Sequence, residues 1–286
     1  MSANPRCWGI YRELAHSPGR ETDDALILRA TAAKLALRGF EVELKSPDEL
    51  PEIPASEVPP FLFVMCERPA AVERLADWER RGARIVNRPA GIRNTDRERT
   101  IALFLREGVA FPKSTLVETS GGKAPAEPGA PCWVKRGDVH ATQEGDVSFA
   151  ADPKALGAAL LRLDGRGIAH AVVQEHVPGD LIKFYGVAGE GEAGVPLSWF
   201  QWFYHRDQKL SNHRFDPERL QALVARGAGA LGLEVFGGDA IAGPGGKIVL
   251  IDLNAWPSFA LYREVASSRI AECLAIRFRR EAGVPR

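Results

Sequence analysis

Apolar residues along the chain fall into two rhythms, and the first third switches regularly between them. Residues 7–11 and 40–44 read as strands, 83–86 as another, and 61–65 (FLFVM) is an unbroken apolar run suited to a parallel strand buried on both faces. Between them, residues 23–37 carry Ala25, Leu28, Ala32 and Leu35 at helical spacing before Gly39, and 68–81 reads as a second helix. Strands alternating with helices predict a small α/β domain over residues 1–94. The polar loop HSPGRETDD leaves the carboxyl end of the first strand, the edge where open α/β sheets bind ligands, which makes Arg20 a candidate substrate contact. A plain strand-to-helix connection capped by Thr22 or Asp23 accounts for the same residues.

Beyond residue 94 helices and strands are spaced differently. Thr95-Asp96-Arg97-Glu98 has the form of a capping box opening a helix that runs to Glu107 and stops at Gly108. Residues 119–131 form a loop of low complexity, and 132–135 a strand whose period places Trp133 and Lys135 on one face. A helix over 152–163 and a strand over 170–174 follow, then a strand over 181–188 with Lys183 inside the apolar LIKFYGV. The aromatic run 195–204 (VPLSWFQWFY) predicts a core strand, since no basic residues interleave with its rings as a nucleic-acid platform requires. Asp216 caps a helix to Leu231 with Pro217 in its first turn, and a last helix covers 261–278.

Residues 232–259, GLEVFGGDAIAGPGGKIVLIDLNAWPSF, carry the densest chemistry. Two β-rich runs, one ending near Ile241 and one restarting at Ile248, flank Gly243-Pro244-Gly245-Gly246, a turn by composition. Strand alternation points Asp252 and Asn254 one way and Ile251 and Leu253 the other, with Asp239 nearby on the partner strand. A carboxylate inside IVLIDL costs free energy unless it is paired, and three oxygen-bearing side chains at one spot suit Mg²⁺. Polar residues at fraying strand ends are the alternative, and these normally leave one such group rather than three.

GGDAI, a hairpin and IDLNAWPSF resemble the magnesium-binding hairpin of the ATP-grasp superfamily: an Asp, then an acidic residue, a spacer and Asn, then Pro. By that resemblance Asp239, Asp252 and Asn254 hold the Mg²⁺ ions that bridge the phosphates of ATP. The likeness extends from residue 95 to 259, with its motifs in the superfamily's order. TDRERTIALFLREGVAFPKS resembles the helix that opens the catalytic part, with Arg97 at the matching basic position. Lys135 matches the lysine that reaches the ATP phosphates, and GDVHATQEGDV stands in place of a glycine-richer phosphate-covering loop. QEHVPGD matches the hinge, making Glu175, Val177 and Asp180 candidates for adenine and ribose, and Lys183 a partner for ATP or a metal-bound carboxylate. The resemblance implies an α/β preATP-grasp domain over 1–94, then an ATP-grasp fold of two α+β subdomains over 95–286. Its lid would span about 112–174 and its metal and substrate half about 175–286. ATP and Mg²⁺ are the implied cofactors, with Lys135 and Lys183 as catalytic cations. HRDQKLSNHRF after the aromatic strand is the most basic segment and faces the active site in that architecture. His213 and Arg214 are therefore candidates for an anionic substrate, a solvated loop being the alternative.

Three functions fit these residues. A ligase like RimK or glutathione synthetase would join a carboxylate to an amine or thiol through an acyl phosphate. A small-molecule kinase like the inositol phosphate kinases would pass the γ-phosphate to a hydroxyl, and the IDLNAWP spelling is closer to the inositol trisphosphate kinase branch. A nucleotide-binding protein without turnover is the third. Lys+Arg and Asp+Glu balance at 37 each over 286 residues, so no basic field recruits nucleic acid or anionic membrane. A small-molecule partner is expected, in the cytoplasm, with monomer or homodimer left open. Cys7, Cys66, Cys132 and Cys273 lie far apart without C-x-x-C and read as free thiols, and no stretch approaches a membrane span. Gly227 to Gly232 fits G-x-G-x-x-G but closes a helix instead of opening one, and Gly245-Gly246-Lys247 lacks the Ser/Thr and the helix of a phosphate loop.

Overall fold

The computed structural model describes residues 4–16, 19–138, 143–189 and 196–281. Four short strands, β1 (Arg6–Ile10), β2 (Glu41–Lys45), β3 (Phe61–Val64) and β4 (Arg84–Val86), form a parallel sheet in the order β2-β1-β3-β4. Its crossovers are helices α1 (Glu21–Ala36) and α2 (Pro69–Arg80). Alternation explains the wholly apolar β3: Phe61 and Phe63 enter one core, Leu62 and Val64 another. No side chain caps α1, so neither Thr22 nor Asp23 acts as expected.

Helix α3 (Pro89–Asn94), too short to show a period, and α4 (Arg97–Arg106) lead into the second sheet. The capping box is not formed. Thr95 Oγ1 donates to the Ile92 carbonyl at 2.7 Å, finishing α3, and Asp96 begins α4 without a side-chain cap. The second sheet is antiparallel, β5-β8-β6-β7, from β5 (Ser114–Glu118), β6 (Cys132–Arg136), β7 (Val147–Ala150) and β8 (His170–Glu175). With α5 (Pro153–Asp164) it closes a separate core of Cys132, Val134, Leu156, Leu160, Leu163 and Val173. Strands β5 and β7 are additions to the elements expected from sequence.

The third sheet, β10-β9-β11-β12, is also antiparallel and built from β9 (Asp180–Ala188), β10 (Leu197–Tyr204), β11 (Val235–Ala242) and β12 (Ile248–Ala255). Helix α6 (Pro217–Leu231) starts as expected, Asp216 accepting from the Glu218 N–H at 2.9 Å, and ends at Gly232 with φ +74°. That cap accounts for Gly232 of the G-x-G-x-x-G match, and Gly227 sits inside the helix where a side chain would strike Leu250. Aromatic β10 is an edge strand with half-buried rings, not the core strand expected. Helix α7 (Arg263–Glu281) doubles back onto α1 and the first sheet. All four cysteines are free and buried, and no helix among the described residues is long and apolar enough to cross a membrane.

Candidate active site

A cavity of about 730 Å³ opens between the second and third sheets and reaches the carboxyl edge of the first. Its metal end is a row across three hydrogen-bonded strands. In register, Lys183 on β9 faces Asp239 on β11, which faces Asp252 on β12. Lys183 Nζ donates to Asp239 Oδ1 at 2.8 Å, and Asn254 Nδ2 lies 3.3 Å from Asp252 Oδ2. The pairing shifts just past Asp239, because Ala240 opposes Leu250 and leaves Ile251 as an extra residue. This bulge turns Ile251 to the cavity beside Asp252, whereas strict alternation had put it on the opposite face.

Cations approach from the second sheet. Lys135 on β6 crosses the cavity to the Ile251 carbonyl at 3.4 Å. Burial lowers its pKa, with Arg97 adding to the depression while Asp252 and Asp239 oppose it. Arg97, in the first turn of α4, donates to the Arg136 carbonyl at the end of β6 and is likewise pushed down by burial. Asp239 shifts the other way: burial raises its pKa, Asp252 raises it further, and Lys183 pulls it back. Two facing carboxylates and an amide side chain on a half-buried wall, with Lys183, Lys135 and Arg97 as neighbouring cations, form a hard oxygen donor set, which fits Mg²⁺.

Apolar walls complete this end: Trp133 and Val147 from the second sheet, Leu181, Ile241 and Ile251 from the third. Glu175 and Val177 line the cavity at the hinge, where the Glu175 N–H donates to the Lys113 carbonyl at 2.8 Å. Asp180 does not line it. Its buried carboxylate accepts from the N–H groups of Ser211 (2.6 Å) and His213 (2.8 Å), anchoring the loop that follows β10. His213 and Arg214 on that loop are also off the cavity wall, whereas exposed Arg20 is on it. Residues 139–142 of the segment matched to the phosphate-covering loop lie outside the described residues, as do residues 17 and 18 beside Arg20 and Val195 before β10.

The end at the switch point between β1 and β3 is lined by Arg12 and Glu67, which sequence reading passed over, and by His16 and Asp24 of the HSPGRETDD loop. Arg12 pairs through Nε with Asp24 (3.2 Å) and through Nη1 with Glu67 (2.8 Å), and its Nη2 donates to the carbonyls of Ala255 (3.2 Å) and Trp256 (2.7 Å). His16 Nδ1 lies 3.5 Å from Glu67, whose contact raises the imidazole pKa against the effect of burial. The only sequence signal for this end was its place after the first strand.

This arrangement of two sheets closing on a carboxylate hairpin, behind a parallel sheet, is the ATP-grasp fold. Among solved structures with it are a RimK domain ATP-grasp protein from Sphaerobacter thermophilus (TM-score 0.67, 21% identity, 94% of this chain and 98% of that one) and D-alanine–D-alanine ligase from Bacillus anthracis complexed with ATP (0.71, 13%, 99% of each). The ATP-grasp ligase PsnB, complexed with minimal precursor, Mg and ADP, also shares it (0.63, 16%, 95% and 97%). No protein-family model matches the sequence, and no curated protein sequence matches it.

Proposed function

We propose that the chain is a Mg-ATP-dependent ligase that joins a carboxylate to an amine through an acyl phosphate. The observation that carries this reading is the row Lys183, Asp239 and Asp252 facing Lys135 across one cavity, which brings cations and candidate metal ligands together. The solved structures named above include ligases complexed with ATP or with Mg and ADP. In this reading residues 95–286 form the nucleotide-binding part, 1–94 shape the acceptor end, and the apolar walls around Trp133 and Ile241 receive the adenine.

Mg²⁺ bound at Asp239, Asp252 and Asn254 would neutralise phosphate charge. Lys135 and Lys183 would hold positive charge beside the γ-phosphate of bound ATP, offsetting the negative charge on its oxygens as a substrate carboxylate displaces ADP. The amine then attacks the acyl carbon, phosphate departs, and the amine's proton passes to solvent or to a neighbouring base. Burial of Lys135 keeps its ammonium weakly solvated, so it interacts strongly with an arriving phosphate.

A kinase acting on a polyanion calls for unpaired cations at the acceptor end. There Arg12 is committed to Asp24, Glu67 and two carbonyls, and the basic loop around His213 is off the cavity wall, which supports the ligase. The test incubates purified protein with Mg-ATP and a panel of amino acids, small carboxylates, amines and inositol phosphates, followed by mass spectrometry. A condensed product with equimolar ADP and free phosphate is expected; a phosphorylated product without free phosphate would overturn the reading. Asp252→Ala with Asn254→Ala is expected to lower turnover at least 100-fold with thermal unfolding little changed, on the order of loss seen when charge-stabilising groups are removed.

A further inference from the structure

We propose that Arg12 is a positioning residue that fixes the end of the metal-binding strand against the first sheet, so that the acceptor end and the metal end of the cavity keep one spacing. The proposal rests on the ATP-grasp reading for the role of Asn254, while the contacts themselves are independent of it. Arg12 lies two residues past β1, and its guanidinium, 9% exposed, donates to the carbonyls of the first two residues after Asn254. The backbone there needs outside support. Trp256 (φ +39°) and Phe259 (φ +50°) are two of the three non-glycine residues with positive φ among the described residues. Such conformations persist only where surroundings over-determine them.

Side-chain packing supplies part of that hold. The Trp256 ring stacks on Phe63 at 5.9 Å, and Phe259 lies 4.8 Å from Tyr185. Neither contact grips the main chain, which is held by the Trp256 N–H bond to the Val235 carbonyl (2.9 Å) and, on its two carbonyls, by Arg12 Nη2. Its Nε and Nη1 bind Asp24 and Glu67, which line the acceptor end. One planar cation thus ties the acceptor wall to the strand that presents Asp252 and Asn254. A lysine, with a single ammonium on a flexible stem, keeps the charge but cannot span two carboxylates and two carbonyls.

Arg12→Lys is the test, with two readouts besides turnover. In nucleotide-free protein, amide hydrogen exchange over residues 255–259 is expected to speed up at least tenfold while α5, in its separate core, keeps its protection. In ADP-bound protein, calorimetric titration with Mg²⁺ is expected to show affinity weaker by roughly tenfold, as when a residue behind a metal ligand is changed, with metal-free ADP binding unaltered. Parental exchange and parental Mg²⁺ affinity would overturn the proposal, and so would equal acceleration of exchange in α5. If Arg12→Lys fails to fold, Glu67→Gln removes one anchor and leaves the carbonyl bonds; smaller changes of the same sign support the role, and parental values in both readouts overturn it. Parental protein that binds neither ADP nor Mg²⁺ would sink the ATP-grasp reading, and the exchange experiment would still decide on Arg12.

Discussion

Asp239 is buried and faces a second carboxylate across the hairpin, and although Lys183 and Lys135 partly offset this, its charged form is held at a cost in metal-free protein. Its pKa in the folded chain lies above the ordinary value of 3.8, with burial the largest cause. Between those two values the folded state holds more protons than the unfolded one. Stability from this group therefore falls as pH rises through that window, and the loss is complete above the folded pKa. Asp239→Asn is accordingly expected to raise the Tm of metal-free protein at pH 7, while abolishing stabilisation by Mg²⁺. Lys183, 36% exposed, keeps enough water to tolerate the loss of its partner. Differential scanning calorimetry with and without Mg²⁺ checks both parts. A lower Tm for the metal-free variant would mean that the Lys183 pair, not the burial of the Asp239 charge, dominates here.

At the scale of elements, the hairpin depends on the two glycines before Asp239. A side chain at Gly238 would run into the Asp252 carbonyl and the Phe184 ring, so glycine lets β12 approach β11 closely enough to pair Asp239 with Asp252. Gly238→Ala is expected to cost about 1–3 kcal/mol by overcrowding and to weaken Mg²⁺ binding, read by urea unfolding and Mg²⁺ titration; parental values in both would refute this account. Much of this hairpin could be read from composition, because polar residues inside IVLIDL and a Gly-Pro-Gly-Gly turn are local signals. Its bulge at Ile251 could not, since one extra residue leaves no trace in an apolar run. Strands β5 and β7 escaped for a related reason: they are short and half-exposed, so their apolar period is weak. Thr95 misled because its hydroxyl serves the short helix behind it, which the sequence did not announce. Arg12 meets partners more than 240 residues away, and no local pattern in YREL marks it.

For the whole molecule, the first sheet takes one of its covers from the far end of the chain. Its inner face joins α2, α4 and α6 in a core continuous with the third sheet, and its outer face is closed by α1 together with α7. Helix α7 buries Ile270, Leu274 and Phe278 completely. Three such side chains contribute roughly 5–9 kcal/mol, comparable to the whole stability of an ordinary domain at about 5–15 kcal/mol. A chain ending before α7 is therefore expected to be unfolded or aggregated, its Phe40, Phe61 and Leu28 left open to water. Phe278 stacks on Phe61 at 4.7 Å, meets Phe40 edge-on at 6.0 Å and does not line the cavity that holds Lys135 and Asp252. Phe278→Ala is then expected to cost about 3–5 kcal/mol, lowering Tm by roughly 10 °C, while turnover per folded molecule stays within about twofold at 20 °C. Calorimetry and an assay normalised to the folded fraction test the two halves separately. A Tm within 2 °C of the parent would show that α7 is an accessory cover, whereas a large fall in turnover with Tm unchanged would mean that packing at the chain's end reaches the cavity through the first sheet.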